Sequence, residues 1–249
     1  MNPRVAIEIE NLNVRYAELQ ALRIDTLRVK GGVFALLGHN GAGKSTLIKT
    51  LLGLLEPRSG SLGAFSIDGQ RLIPQKDMAF CPENGAVFAD ISVEEYLRLW
   101  CRIKHNDARY YKNVGSHYVE RLNIQPLLRK RGRELSKGQR RRVQTALGFM
   151  SDPRLFLFDE PFDGLDVQRT TELMEIVEEE QEKRSFLISS HRMDVMERLA
   201  DTIVVLQDGQ VRCKGGLESV CGELIGRHEA GEQTSLTDAM RAHLRCFVA

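Results

Sequence analysis

No apolar run in this sequence approaches the ~20 residues needed to cross a bilayer. Its first residues also lack the basic-then-apolar pattern of a secretory signal. A cytoplasmic location is therefore expected, and any transport role would need membrane-spanning partners encoded elsewhere. Cysteines are few and scattered. Cys81, Cys101, Cys213, Cys221 and Cys246 form no C-x-x-C pair and show no metal-ligand spacing, which excludes the common zinc patterns and predicts reduced thiols. An excess of one charge is missing too: a formal net charge of +1 gives no general attraction to nucleic acid or acidic lipid. There is no internal repeat and no low-complexity linker. What is present is ordinary for a globular protein, with 42% hydrophobic and 28% charged residues. A length of 249 residues suits one large α/β domain, or a domain with an inserted subdomain.

One stretch stands out against this background. Gly38-His39-Asn40-Gly41-Ala42-Gly43-Lys44-Ser45-Thr46 matches G-x-x-x-x-G-K-[ST], the loop that wraps nucleotide phosphates. Glycines let the backbone bend so that successive N–H groups point at phosphate oxygens. Lys44 can reach the β- and γ-phosphates, the Ser45 hydroxyl can ligate Mg²⁺, and the helix that follows offers its positive end to the same anion. The context agrees. Val33-Phe34-Ala35-Leu36-Leu37 reads as a buried strand before the loop, and Leu47, Ile48, Leu51 and Leu52 recur at helical spacing after it.

A second block spans residues 135–166. Leu135-Ser136-Lys137-Gly138-Gln139 precedes a helix whose Val143, Ala146, Leu147 and Met150 share one face. Leu155-Phe156-Leu157-Phe158-Asp159-Glu160 then reads as a central parallel strand ending in two carboxylates. Asp163-Gly164-Leu165-Asp166, another helix, the strand Phe186-Leu187-Ile188-Ser189 and His191 follow. From about Val5 to Gly216 this order resembles the ATP-binding cassette of ABC transporters, and the LSKGQ stretch is similar to that family's signature sequence.

The resemblance implies an ATPase that uses ATP and Mg²⁺, in which Asp159 holds the metal directly or through water. Glu160 is then the general base for the attacking water, and His191, after its Ser-Ser pair, is the switch histidine on the γ-phosphate. Tyr16 lies where the family places an aromatic ring against adenine, with ordinary core packing as the competing role. Ser136, Gly138 and Gln139 belong to the signature, which in this family approaches the γ-phosphate of a second nucleotide-binding subunit. A closed site then needs a dimer, with Asp163 and Asp166 along its interface. Three positions depart from the family pattern. Cys81-Pro82-Glu83 stands where a glutamine is usual, Lys137 replaces a glycine and Asp163 a serine. Glu83 can still ligate Mg²⁺ through oxygen, and Pro-Glu pairs of this kind resemble exporter-type cassettes.

The expected fold class is α/β: a P-loop NTPase with an ABC-type ATPase core, an N-terminal antiparallel β region and an inserted helical subdomain. The antiparallel region is read from Val5–Tyr16 and Ile24–Val29. Residues 1–249 form a single nucleotide-binding domain, with the helical subdomain at about 85–150 and a weakly patterned C-terminal extension at about 217–249. Ser92-Val93-Glu94-Glu95 has the form of a helix capping box, and Asp208-Gly209 that of a hairpin turn. Basic residues crowd Arg129 to Arg142, where they could attract ATP phosphates or meet an acidic partner. Glu178, Glu179, Glu180 and Glu182 read as a solvated helix face. The expected partners are transmembrane permease subunits and a second copy of the chain, with no nucleic acid. The protein would then sit peripherally at the inner face of the cell membrane. A soluble cassette ATPase acting on ribosomes or DNA is the alternative, although such proteins usually carry two cassettes or a coiled-coil insertion. A regulatory cassette with degenerate catalysis is a third reading, against which Lys44, Glu160 and His191 argue.

Overall fold

The computed structural model describes residues 5–107 and 109–229. Cys246 and residues 230–249 of the C-terminal extension lie outside the described residues. In chain order the elements are strands β1 (Val5–Tyr16), β2 (Leu19–Gly31) and β3 (Val33–Leu37), helix α1 (Lys44–Leu51), strand β4 (Ser59–Ser66), the short helix α2 (Pro74–Asp77) and strand β5 (Met78–Cys81). A helical stretch follows with α3 (Val93–His105), α4 (Ser116–Arg121) and α5 (Lys137–Met150), joined by short 3₁₀ and π turns. The chain then alternates through β6 (Leu155–Asp159), α6 (Val167–Glu180), β7 (Ser185–Ser190) and α7 (Met193–Leu199). It closes with the hairpin of β8 (Thr202–Gln207) and β9 (Gln210–Gly215) and the helix α8 (Leu217–Glu229).

Two sheets result. One is antiparallel, with order β2-β1-β4; the other has order β5-β6-β7-β3-β8-β9 and is parallel except for its last strand. Side-chain alternation along the buried strands divides the interior between the two faces of the larger sheet. Phe34 and Leu36 of β3 and Leu155 and Leu157 of β6 join the core beneath the antiparallel sheet and α1. Val33, Ala35, Leu37, Phe156 and Phe158 join the core covered by α3, α5, α6 and α7. The α/β class, the antiparallel region and the helical insertion therefore appear as expected. β2 runs well beyond Ile24–Val29 because it pairs with β1 all the way to Tyr16↔Leu19; the turn at Ala17-Glu18, where Ala17 takes φ 49°, carries no glycine or proline to mark that start. β4 is unmarked in the sequence, since its Ser and Gly content is poor for strands.

Both local signals hold. The Ser92 hydroxyl accepts from the Glu95 N–H at 3.2 Å, while the Glu95 carboxylate accepts from the Ser92 N–H at 2.8 Å. Asp208 and Gly209 take φ 50° and 75° between β8 and β9, the left-handed pair that a tight hairpin requires. The acidic run on α6 is not a uniform solvated face, which corrects the expectation. Glu180 is 3% exposed and meets Arg184 at 2.9 Å, with the Tyr118 hydroxyl donating to it. Glu178 and Glu179 pair at the surface, with Arg198 and Arg121. A charge count could not separate them, because the 100° step per residue turns one member of the run inward.

α5 packs flush on β6 at Gly148, where an added Cβ would lie 2.1 Å from the Phe156 ring. That ring is itself wedged against Phe149 and Phe158 at centroid distances of 4.8 and 4.2 Å. Gly148→Ala should therefore destabilise the fold by about 1–3 kcal/mol in urea unfolding. Gly222→Ala on open α8, with nothing near its Cβ, should instead add about 0.5–1 kcal/mol. Equal effects at the two positions would contradict this packing.

Candidate functional site

Parallel register brings three strand ends together. Leu37 lies opposite Ser190, and Ser189 opposite Asp159. The loop after β3, the carboxylates ending β6 and the histidine following β7 thus start from one edge, where open α/β sheets bind ligands. Over that edge lies a cavity of about 570 Å³ lined by His39, Asn40, Gly41, Gly43, Lys44, Ser45, Thr46, Glu83 and Glu160. Tyr16, Leu19, Gln20, Asp208 and Gly209 close its other side. Tyr16 is 43% exposed, so the core-packing role is excluded. Ala42 is buried beneath the loop, and its carbonyl accepts from the Gly209 N–H at 3.1 Å.

The phosphate loop is shaped as its residue types demand. Gly43 has φ 105°, a conformation side chains rarely adopt, and caps α1. Gly38 passes so close to β8 that a Cβ would lie 2.5 Å from the Leu206 carbonyl. His39 meets Asp208 at 3.5 Å, joining loop and hairpin tip. Lys44 is 6% exposed and folds back on its own loop, donating to the Gly38 carbonyl at 2.7 Å and the His39 carbonyl at 3.2 Å. It also forms an ion pair with Glu160 Oε1 at 3.2 Å, at an angle that leaves this buried oxygen without a hydrogen bond.

Glu160 is held from three sides. Its backbone takes φ 47°, a strain of about 1–3 kcal/mol for a non-glycine residue. Its N–H donates to the Ser189 hydroxyl oxygen at 2.9 Å, and the same hydroxyl donates to Asp159 Oδ1 at 2.6 Å. Ser189 thus fixes both carboxylate residues; it occurred in the sequence only as the end of a strand, with nothing to mark its role. Glu160 Oε2 accepts from His191 Nδ1 at 3.1 Å. A carboxylate can only accept, so a neutral His191 carries its proton on Nδ1 and leaves Nε2 as an acceptor. His191 is half exposed, whereas Asp159 is buried behind the cavity lining.

Ser136, Gly138 and Gln139 are placed differently. Ser136 caps α5, its hydroxyl oxygen accepting from the Gln139 N–H at 3.3 Å while Gln139 Oε1 accepts from the Ser136 N–H at 3.0 Å. None of the three lines the cavity over this chain's own phosphate loop. Asp166 caps α6 by accepting from the Arg169 N–H at 2.9 Å. The basic stretch 129–142 is also split: Arg133 pairs with Asp90 at the surface, while Arg141 is buried. Beside Glu83, burial pushes the Cys81 thiol up to about 11, with the Thr145 hydroxyl 3.7 Å away. Cys81 is thus a packed, neutral thiol.

Residues 24–163, more than half of the chain, match the family described as ABC transporter. The chain belongs to that family. It is 31% identical to human ATP-binding cassette sub-family A member 9 over 96% of its own length, which is 16% of that protein's length. An uncharacterized ABC transporter ATP-binding protein of Methanocaldococcus jannaschii is 28% identical over 90% of this chain and 82% of the relative. A solved structure described as an ATP binding subunit of an ABC transporter superposes with a TM-score of 0.77. It is 30% identical, with 96% of this chain and 99% of that chain covered. The fold is accordingly that of an ATP-binding cassette. No helix among the described residues is long and apolar enough to cross a membrane.

Within this cassette, Ser189→Ala removes one hydroxyl that both donates to Asp159 and accepts from Glu160. Each buried partner then lacks a bond, so stability should fall by about 1–3 kcal/mol. Chemical denaturation measures this directly. A loss below about 0.5 kcal/mol, the range of ordinary surface changes, would contradict the described bonding.

Proposed function

We propose that this cassette binds and hydrolyses ATP as the motor of a membrane transporter, and that Ser136 and Gly138 of a second copy complete its site. The observation that carries the reading is the convergence of Lys44, Glu160 and His191 beside a cavity rimmed by the phosphate loop. In this reading the N–H groups from Gly41 to Thr46 and the Lys44 ammonium take the β- and γ-phosphates, and Tyr16 meets the adenine ring. Mg²⁺ takes hard oxygen donors, which are what Ser45, Glu83 and Asp159 offer. Ser45 and Glu83 line one cavity, and Asp159 ends the strand beside it. When bound, the ion would neutralise phosphate charge.

The Lys44–Glu160 ion pair supports an order of events. Phosphate oxygens compete for the Lys44 ammonium, and each carries more charge than a loop carbonyl. Once Lys44 turns to them, Glu160 loses its cationic partner and becomes available to accept the proton of an attacking water. His191 keeps Glu160 aimed through Nδ1 and presents the Nε2 lone pair to the attacking water, from which it can accept. Asp163 and Asp166 sit on the turn after Glu160 and would border the second copy.

The transport half of the reading draws on the helical insertion. Phe88 is 58% exposed and stacks edge-on against Tyr96 at 4.8 Å. Beside them a groove of about 270 Å³ is lined by Phe80, Tyr96, Trp100 and Lys104. Such a groove suits an apolar segment of a transmembrane permease subunit, which would hold the chain at the inner membrane face and would itself contact the transported substrate.

Two substitutions test the two halves. Glu160→Gln should leave ATP affinity intact and reduce hydrolysis by roughly 10²–10⁴-fold, the usual contribution of a general base; near-normal turnover removes Glu160 from that role. Phe88→Glu should release the chain from native membranes and spare basal ATPase activity. Native protein that fractionates with ribosomes or DNA instead would end the transporter reading.

A further inference from the structure

α5 carries Ser136 and Gly138 at its start, yet its middle is fastened to two loops of the ATP site. Arg141 is 6% exposed. Its Nη1 donates to the Asp163 carbonyl at 2.7 Å and the Pro161 carbonyl at 3.2 Å, and its Nη2 donates to the Glu83 carbonyl at 2.8 Å. One turn further on, Gln144 Nε2 donates to the Ala86 carbonyl at 2.7 Å. Gly85 lets that contact form, since a Cβ there would lie 1.4 Å from Gln144 Oε1. Thr145 reaches Cys81 from the same side. Positions 141, 144 and 145 follow the i, i+3, i+4 rule for one helical face, so a single face of α5 grips residues 81–86 and, through Arg141, residues 161–163.

These two segments hold the groups that face the nucleotide. Glu83 lines the cavity, and Pro161 directly follows Glu160. A planar guanidinium with a fixed fork of donors can tie three carbonyls on two segments at once; an ammonium is a point charge and cannot span the same geometry. We propose that Arg141 is a positioning residue through which nucleotide in one chain sets the placement of that chain's own Ser136 and Gly138. The inference deepens the ATP-site reading above and rests on it. Movement of the Glu83 and Glu160 loops toward the phosphates pulls on the guanidinium, and the helix, hydrogen-bonded along its length, moves as a rod. Its two ends then shift together. The signature residues lie at one end; at the other, the Trp100 indole N–H donates to the Leu147 carbonyl and to the Ser151 hydroxyl, both at 2.9 Å.

Trp100 is the sole tryptophan of the chain, so its emission reads the far end of α5. The full chain, with Arg141→Gln and Arg141→Lys variants, is titrated with MgATP while emission, ATP affinity and turnover are recorded. In the parent chain MgATP should shift Trp100 emission. Arg141→Gln should abolish that shift and lower kcat by about tenfold while ATP affinity stays within about threefold, the scale on which severed coupling contacts act. Arg141→Lys, retaining one donor group, should fall between the two. If Arg141→Gln does not fold, the lysine variant decides by the same readouts. The proposal is overturned by a parent chain whose emission ignores MgATP, by variants that keep the full shift or full kcat, or by ATP affinity falling as steeply as kcat. A parent chain that shows the shift but never hydrolyses ATP sinks the ATPase reading instead, and the emission result alone then judges Arg141.

Discussion

The in-register parallel pairing of β6, β7 and β3 is the constraint on which the site depends. Leu37, Ser190, Ser189 and Asp159 end their strands side by side, so whatever follows them must converge. A slip of one residue in that pairing would turn Phe156 and Phe158 toward the wrong core and carry Asp159 away from Ser189. Burial on both faces makes such a slip costly. The site therefore inherits its precision from apolar packing several residues away from any charge.

That precision matters because the charges at this edge are expensive. Lys44, Asp159 and Glu160 are all buried or nearly so, and a buried charge is tolerated only when paired and hydrogen-bonded. For Lys44 the structure meets this need with contacts from its own loop and from Glu160. Two loop carbonyls and one carboxylate hold Lys44, and the carboxylate contact is poorly aligned. Asp159, by contrast, keeps a short bond from Ser189. On this account one pair is built to exchange partners and the other to stay. The φ of 47° at Glu160 fits the same view, since strain of this kind persists only where surrounding bonds over-determine it.

Much of this was legible before any coordinates. Local motifs with rigid stereochemical demands were plain: the glycines before Lys44, the apolar strand ending at Asp159, the capping box at Ser92, and Asp208-Gly209. What escaped was decided by tertiary direction. Arg140, Arg141 and Arg142 are identical in type and consecutive, yet only the middle one is buried beneath carbonyls. Glu180 differs from Glu179 only by one helical step. Ser189 looked like any residue completing a strand, and β4 was hidden by its small residues. Composition averages over such positions, whereas helix rotation against the sheet separates them. Assembly was the other gap: Ser136 and Gly138 stay off their own chain's cavity, and the role proposed for them needs a second copy.

Sharing of sites between two copies is the central claim, and a mixing experiment measures it directly. A chain carrying Lys44→Ala lacks the ammonium proposed to bind phosphate, and a chain carrying Ser136→Arg would block the surface proposed to meet its neighbour. Each variant alone should be inactive. In a twofold dimer formed from an equal mixture, half the dimers are mixed, and each places both defects in one site and none in the other. The account predicts recovery of roughly a quarter of wild-type ATPase activity per chain on mixing. Continued inactivity of a mixture proven to form mixed dimers, or wild-type turnover by a proven monomer, would contradict it.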